Sequence, residues 1–72
     1  MEIEKKIIGD NIKKLRIMNN LTQDMMANII GYSDGRQIRR LETEGTMNLD
    51  IIVCIATKFK VSPLSLLSAD IG

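Results

Sequence analysis

The sequence predicts a small all-α domain of five helices. Three features carry that prediction. Apolar residues recur every three to five positions along most of the chain, the spacing of one helix face. Thr22, Asn48 and Ser62 each stand just ahead of such a run, where a short side-chain oxygen accepts an orphan backbone N–H. No segment alternates apolar and polar residues at period two, so nothing reads as a half-buried strand.

The first helix is expected over residues 3–19. Ile3, Ile7, Ile8, Ile12, Leu15 and Met18 form its inward stripe, with Lys5, Lys6, Lys13, Lys14 and Arg16 on the other faces. Asn19 and Asn20 end it, because asparagine tolerates the left-handed conformation of a C-cap. The second helix spans 23–30, capped by Thr22, with Asp24 in the first turn where a carboxylate suits the helix dipole. Met26, Ala27, Ile29 and Ile30 supply its apolar residues and Gly31 stops it. Asp34 with Gln37 three positions on reads as a capping box. It opens a third helix over 35–43 that turns Ile38 and Leu41 inward and stops at Gly45.

Asn48 caps a fourth helix over 49–59, with Leu49, Ile52, Val53, Ile55, Ala56 and Phe59 inward. The stretch IIVCIA within it is rich in β-branched residues, but the caps frame a helical length. Ser62-Pro63 is an N-cap followed by proline at the first helical position, starting a fifth helix over 63–67 with Leu64 and Leu67 inward. The tail SADIG is expected to be loose. Tyr32 is expected to pack over the turn, Cys54 in or near the core, and Met25, Met26 and Met47 as gap-fillers.

Composition narrows function. The 72 residues make one domain, 1–72 with its core in 3–68. There is no histidine and a single cysteine, Cys54, which removes His-based catalysis, Cys–His pairs and most zinc sites. Glu42 and Glu44 stand two apart and point to different faces of a helix. No enzymatic activity, metal or cofactor is expected. No apolar run is long enough for a transmembrane span. MEIEKKIIGDN lacks a signal-peptide core, so a cytoplasmic protein with no membrane partner is expected.

The second and third helices are each about two turns long and are joined around Gly31, the shape of a helix-turn-helix. Ala27 lets the next helix pack close, and Gly31 takes a corner other residues resist. With Ile38 and Leu41 buried, Arg36, Gln37, Arg39, Arg40 and Thr43 are left on the outer surfaces. Arginine forks onto guanine, glutamine onto adenine, and either holds phosphate. Gly35 at the helix start permits close backbone approach, and the helix N-terminus offers N–H groups to a phosphate. Bulk charge does not make this case. The net charge is +1, and within 31–45 the three arginines are balanced by Asp34, Glu42 and Glu44. The bland alternative is a solvated face with Arg39 paired to Glu42 or Glu44. Lys13, Lys14, Lys58 and Lys60 read as ordinary solvated lysines.

The run LTQDMMANIIGYSDGRQIRRLETEG resembles the lambda-repressor-like, XRE/Cro-type helix-turn-helix family through Thr22, Gln23, Met26, Ala27, Gly31, Ile38 and Glu42. IGDNIKKLR resembles the family's first helix through Ile8, Gly9, Ile12, Leu15 and Arg16. IVCIATKFKVSPLSLL resembles its fourth and fifth helices through Ile55, Ala56, Phe59, Val61, Ser62 and Leu67. The resemblance implies sequence-specific double-stranded DNA binding and transcriptional control, often by a dimer on a palindromic operator, with the third helix in the major groove. Carried over by position, it places Gly35, Arg36 and Arg40 nearest the bases, Gln37 and Arg39 on the flanks, and Gln23 on a phosphate while bracing the third helix. It makes Arg16 and Glu42 a partly buried salt bridge rather than readers. Two departures stand out: one residue more than the common spacing between Gly31 and Ile38, and a loop EGTMNLD without basic residues. The expectation is a complete homodimeric repressor of phage or bacterial type, with Ile51, Leu66 and Ile71 left over for a two-fold contact. The alternative is an antitoxin or adaptor that uses the same fold to bind a protein partner.

Overall fold

Side-chain caps set the start of three helices. Thr22 Oγ1 accepts the Met25 N–H at 3.1 Å, Asn48 Oδ1 accepts those of Asp50 and Ile51 at 2.9 and 3.3 Å, and Ser62 Oγ accepts that of Leu64 at 3.2 Å. The computed structural model describes residues 4–68. Its elements are α1 (Lys5–Met18), α2 (Gln23–Ile30), α3 (Arg36–Glu44), α4 (Leu49–Lys58) and α5 (Pro63–Leu67), with no strand among the described residues. Ile3 and the tail from residue 69 lie outside them. Helices α2 and α5 have the expected limits. α1 stops one residue short of Asn19, and Phe59 is the C-cap of α4 rather than part of it.

The start of α3 differs from expectation. The capping box does not form, and the helix runs one residue later than expected at both ends, with Gly35 as an N-cap that has no side chain to offer. Asp34 Oδ1 accepts the N–H of Arg36, at 2.9 Å. The Gly35 N–H goes to Asp24 Oδ1 at 2.7 Å. A carboxylate from the first turn of α2 therefore holds the start of α3 through the Gly35 N–H. Gly35 must be glycine here, since an added Cβ would lie 2.8 Å from Asp24 N and 2.9 Å from the Gln23 carbonyl carbon.

Two connections are built alike. After α1, Asn20 takes φ 58° and the Leu21 N–H reaches back to the Arg16 carbonyl at 3.1 Å. After α4, Lys60 takes φ 58° and the Val61 N–H reaches the Ala56 carbonyl at 3.0 Å. Both are left-handed exits that satisfy orphan carbonyls and turn an apolar residue back onto the body. The α2 exit uses Gly31 at φ 103°.

The helices close around one core. α1 supplies Ile8, Ile12 and Leu15, α2 Met26 and Ala27, α3 Ile38, α4 Ile52, Ile55 and Ala56, and α5 Leu66. α1 packs against α3 and α5, α2 against α3 and α4, and α4 against α5. The radius of gyration, 10.9 Å, is that of a compact chain. Tyr32 packs against the core from the turn, and burial, then the nearby Cys54, raises its phenol above the ordinary 10.0.

Several inward assignments are corrected. Met18 (69% exposed), Leu49 (68%) and Val53 face solvent. In α5 Leu64 is 72% exposed while Leu66, left over for a subunit contact by the spacing, is fully buried. Ile51 is also partly buried against the core, and Ile71 lies outside the described residues. The reason in α5 is Asn11. Its buried Nδ2 donates to the Leu66 and Ser68 carbonyls at 2.9 and 2.7 Å, fixing the end of this five-residue helix with Leu66 inward. No described helix is long and apolar enough to cross a membrane.

A left-handed φ costs a side-chain-bearing residue roughly 1–2 kcal/mol, part of which glycine gives back as unfolded-chain entropy. Lys60→Gly should therefore stabilise the fold by about 0.5–1 kcal/mol, read as a higher urea midpoint at constant slope. Lys60→Val should lower it.

Candidate functional site

The site begins where α1 crosses the end of α3. Gly9 makes that crossing close, since a Cβ there would stand 2.7 Å from the Leu41 carbonyl oxygen and 2.9 Å from that of Glu42. One helical stretch further, Arg16 meets Glu42. Arg16 Nε donates to Glu42 Oε2 at 2.6 Å and Nη2 donates to Oε1 at 3.2 Å, while Nη1 donates to the Leu21 carbonyl at 2.8 Å. Both side chains are largely buried, 14% and 5% exposed. Gln23 Nε2 donates to the same Glu42 Oε1 at 3.2 Å. The pair expected between the first and third helices is present, and Gln23 braces α3 as expected.

With Ile38 and Glu42 buried and Leu41 partly so, the rotation of α3 is set. At about 100° per residue, Arg36, Arg40 and Thr43 fall in one stripe opposite the core. Arg39 lies on the flank toward α1 and α2, and Gln37 and Glu44 lie on the other. All six are exposed. Gly35 is buried, so its role in the structure is the close approach to α2.

The arginines are not alike. Arg36 Nη2 donates to Asp34 Oδ2 at 3.0 Å and its Nε to the same oxygen at 3.3 Å. Arg40 Nε donates to Glu44 Oε2 at 3.1 Å. Arg39 has no ion pair among the described residues, so its expected pairing with Glu42 or Glu44 does not form. Glu42 is taken by Arg16 and Glu44 by Arg40. The hydrogen bond from the Arg36 side chain, then that from its backbone N–H, holds the Asp34 carboxyl below its ordinary 3.8. The same partner raises the Arg36 guanidinium.

Besides a cleft at the start of α2 lined by Asp24, Gly35, Arg36 and Arg39, two more open clefts border the stripe. One, of about 350 Å³, runs between α1 and α3 and joins Arg39 and Thr43 to Lys13, Gln23 and the Lys6–Asp10 ion pair. The other, of about 370 Å³, is lined by Ser33, Asp34, Arg36, Gln37 and Arg40. Lys13, read from the sequence as merely solvated, thus faces the same cleft as Arg39. Sequence reasoning also missed Asp34 as the partner of Arg36, although the two stand two residues apart. It missed Glu44 as the partner of Arg40, although i and i+4 on one helix are neighbours. Among the described residues no group of three His, Cys, Asp or Glu side chains is arranged to hold a metal.

No protein-family model matches the chain, and no curated protein or solved structure is significantly similar to it.

Removing one member of a buried pair strands the other. Glu42→Ala should cost roughly 3–5 kcal/mol in urea unfolding, and Arg16→Met with Glu42→Leu together should cost much less. Additive losses would show that the pair is not coupled. Asp34 should titrate below 3.8 by carboxyl NMR and rise toward the ordinary range in Arg36→Ala, where only the backbone N–H bond remains. Its folded pKa is depressed, so its contribution to stability is complete above the unfolded value and is lost as pH falls through the folded one.

Proposed function

We propose that this chain is a sequence-specific double-stranded DNA-binding protein, a transcriptional repressor that sets α3 into the major groove. In this reading α2 and α3 are the two helices of a helix-turn-helix, and the additional residue ahead of Ile38 lies in the turn at 31–35. The observation that carries the reading is the outward stripe of Arg36, Arg40 and Thr43, on a helix whose opposite face is locked by Ile38 and Glu42.

The physical argument runs from that stripe. A helix about 10–12 Å across fills a major groove about 12 Å wide. Residues opposite its buried face then meet base edges. Arg36 and Arg40 carry the forks that guanine O6 and N7 accept. Gln37, on one flank, has a side-chain amide suited to adenine. Arg39, Lys13 and Gln23, on the other, surround a cleft open to a phosphate, and Thr43 borders it. Gly35 holds the start of α3 against α2 and drops out as a base contact. The resemblance of 8–67 to lambda-repressor-like proteins supports the same assignment.

A homodimer is the second part of the proposal. Its support moves from Leu66 to the apolar side chains that stand exposed on α4 and α5, namely Leu49, Val53 and Leu64. Two subunits would read half-sites about 34 Å apart and exclude polymerase from a promoter.

Selection from a random duplex pool, with winners retested across salt, checks this. The expected result is a palindromic consensus whose affinity falls steeply with salt. Arg36→Ala should bind it roughly tenfold more weakly and lose preference at one position. No enrichment over background would sink the DNA reading and turn the search to a protein partner.

A further inference from the structure

The outer face of α3 carries an apparent contradiction. Helices that meet DNA gain from cations and lose from acids, yet acids adjoin both central arginines and leave the flanking one alone. The pattern has a geometric side. Asp34 takes Arg36 from its Nε side, through Nε and one hydrogen of Nη2. Glu44 takes Arg40 through Nε. A guanidinium has five N–H donors in a planar fork. Holding it by the Nε side leaves the terminal Nη edge, the edge that matches guanine O6 and N7. Arg39, with no such partner among the described residues, stands by the cleft with Lys13 and Gln23.

We infer that Asp34 is a positioning residue for base selectivity. It fixes the Arg36 fork for a guanine edge, and its charge disfavours the rival seat of that fork on a phosphate. The inference rests on the DNA reading proposed above and adds a division of labour to it. Arginines held by acids read bases, and the unheld Arg39 binds backbone. The holding works because an arginine free to swing gains nearly as much from any phosphate as from the correct base, which raises affinity for all duplexes and lowers discrimination. An acid at the Nε side costs the phosphate seat its electrostatic gain, while the guanine seat keeps both bonds to Nη. Asp34 is suited to this because its position is fixed independently. Its Oδ1 accepts the Arg36 backbone N–H at 2.9 Å, so the carboxylate is anchored at the helix start and not carried on a free side chain.

A purely structural duty for Asp34 is the rival explanation, since its side-chain oxygen caps the Arg36 N–H at the start of α3. Asp34→Asn separates the two, because the amide oxygen still accepts the Arg36 N–H while the charge is gone. With the full chain and the duplex selected by the parent, Asp34→Asn should bind unrelated duplex about threefold more tightly. Its salt dependence should steepen by about one phosphate contact. Preference for the base lost in Arg36→Ala should fall about tenfold. In an Arg36→Lys background, where there is no fork to hold, Asp34→Asn should change that preference no further. Asp34→Ser, which also keeps an acceptor, should behave as Asp34→Asn does and covers the case where that variant folds poorly by circular dichroism.

Unchanged preference and salt slope in folded Asp34→Asn and Asp34→Ser would overturn the inference and leave the DNA reading standing. An equal loss of affinity for selected and unrelated duplex would also overturn it, in favour of the structural duty. A parent chain that selects no duplex sinks the DNA reading and this inference with it, a result recognisable before any variant is made.

Discussion

The contact between Arg16 and Glu42 is the constraint on which the rest of the molecule depends. One guanidinium binds a carboxylate on α3 and the carbonyl of Leu21 in the α1–α2 connection, and that carboxylate also receives Gln23 at the start of α2. Three helices and a turn thus share one buried polar cluster. Its net contribution to stability is small, because desolvating two charges offsets much of their attraction. What it gives with certainty is register. Slide or rotate α3 by one residue and Glu42 leaves its partners, so a buried Arg16 is left with an unmatched charge. Gly9 lets this happen by bringing the two helices within reach.

The sorting of charge follows from that cluster. The segment 31–45 is neutral by count, yet one of its three acids is turned inward to an arginine from another helix. The outer face keeps Arg36, Arg39 and Arg40 against only Asp34 and Glu44. The exposed pairs there are held in high dielectric and screened by salt. They therefore orient the arginines while adding little to stability. A nearly neutral protein thereby presents a locally cationic surface.

Much of this was legible in the sequence, and what was not has a common cause. Thr22, Asn48 and Ser62 mark helix starts because capping is a local affair between a side chain and the N–H groups two or three residues on. The Arg16–Glu42 pair was legible only through the resemblance, since spacing says nothing about partners 26 residues apart. Inward faces failed at helix ends, at Val53 in the middle of α4, and in α5. Five residues make less than two turns, too few for a periodicity to define a face, so Leu64, Leu66 and Leu67 were equivalent until Asn11 chose between them. Leu49 and Met18 failed because a terminal turn overhangs the core that the middle of its helix covers. The start of α3 failed because Asp24, from another helix, holds the Gly35 N–H and Asp34 accepts from Arg36 rather than Gln37.

Asn11 also governs how the chain becomes a single cooperative unit. The bond from its side chain to the Leu66 carbonyl joins positions 55 apart, and closing a loop of that length costs about 3.5 kcal/mol in chain entropy. Helix α5 brings nothing of its own to offset that, being far shorter than the roughly 12–15 residues an isolated helix needs in water. It therefore exists only as a docked piece, held by Leu66 in the core and by two carbonyls on one amide. Its seat is made by α1 and α4 together, so it docks only once both are in place, which puts its docking last among the helix contacts. The helix added latest is then the one that seals the core, and opening it exposes the side of α1 on which the remaining packing rests.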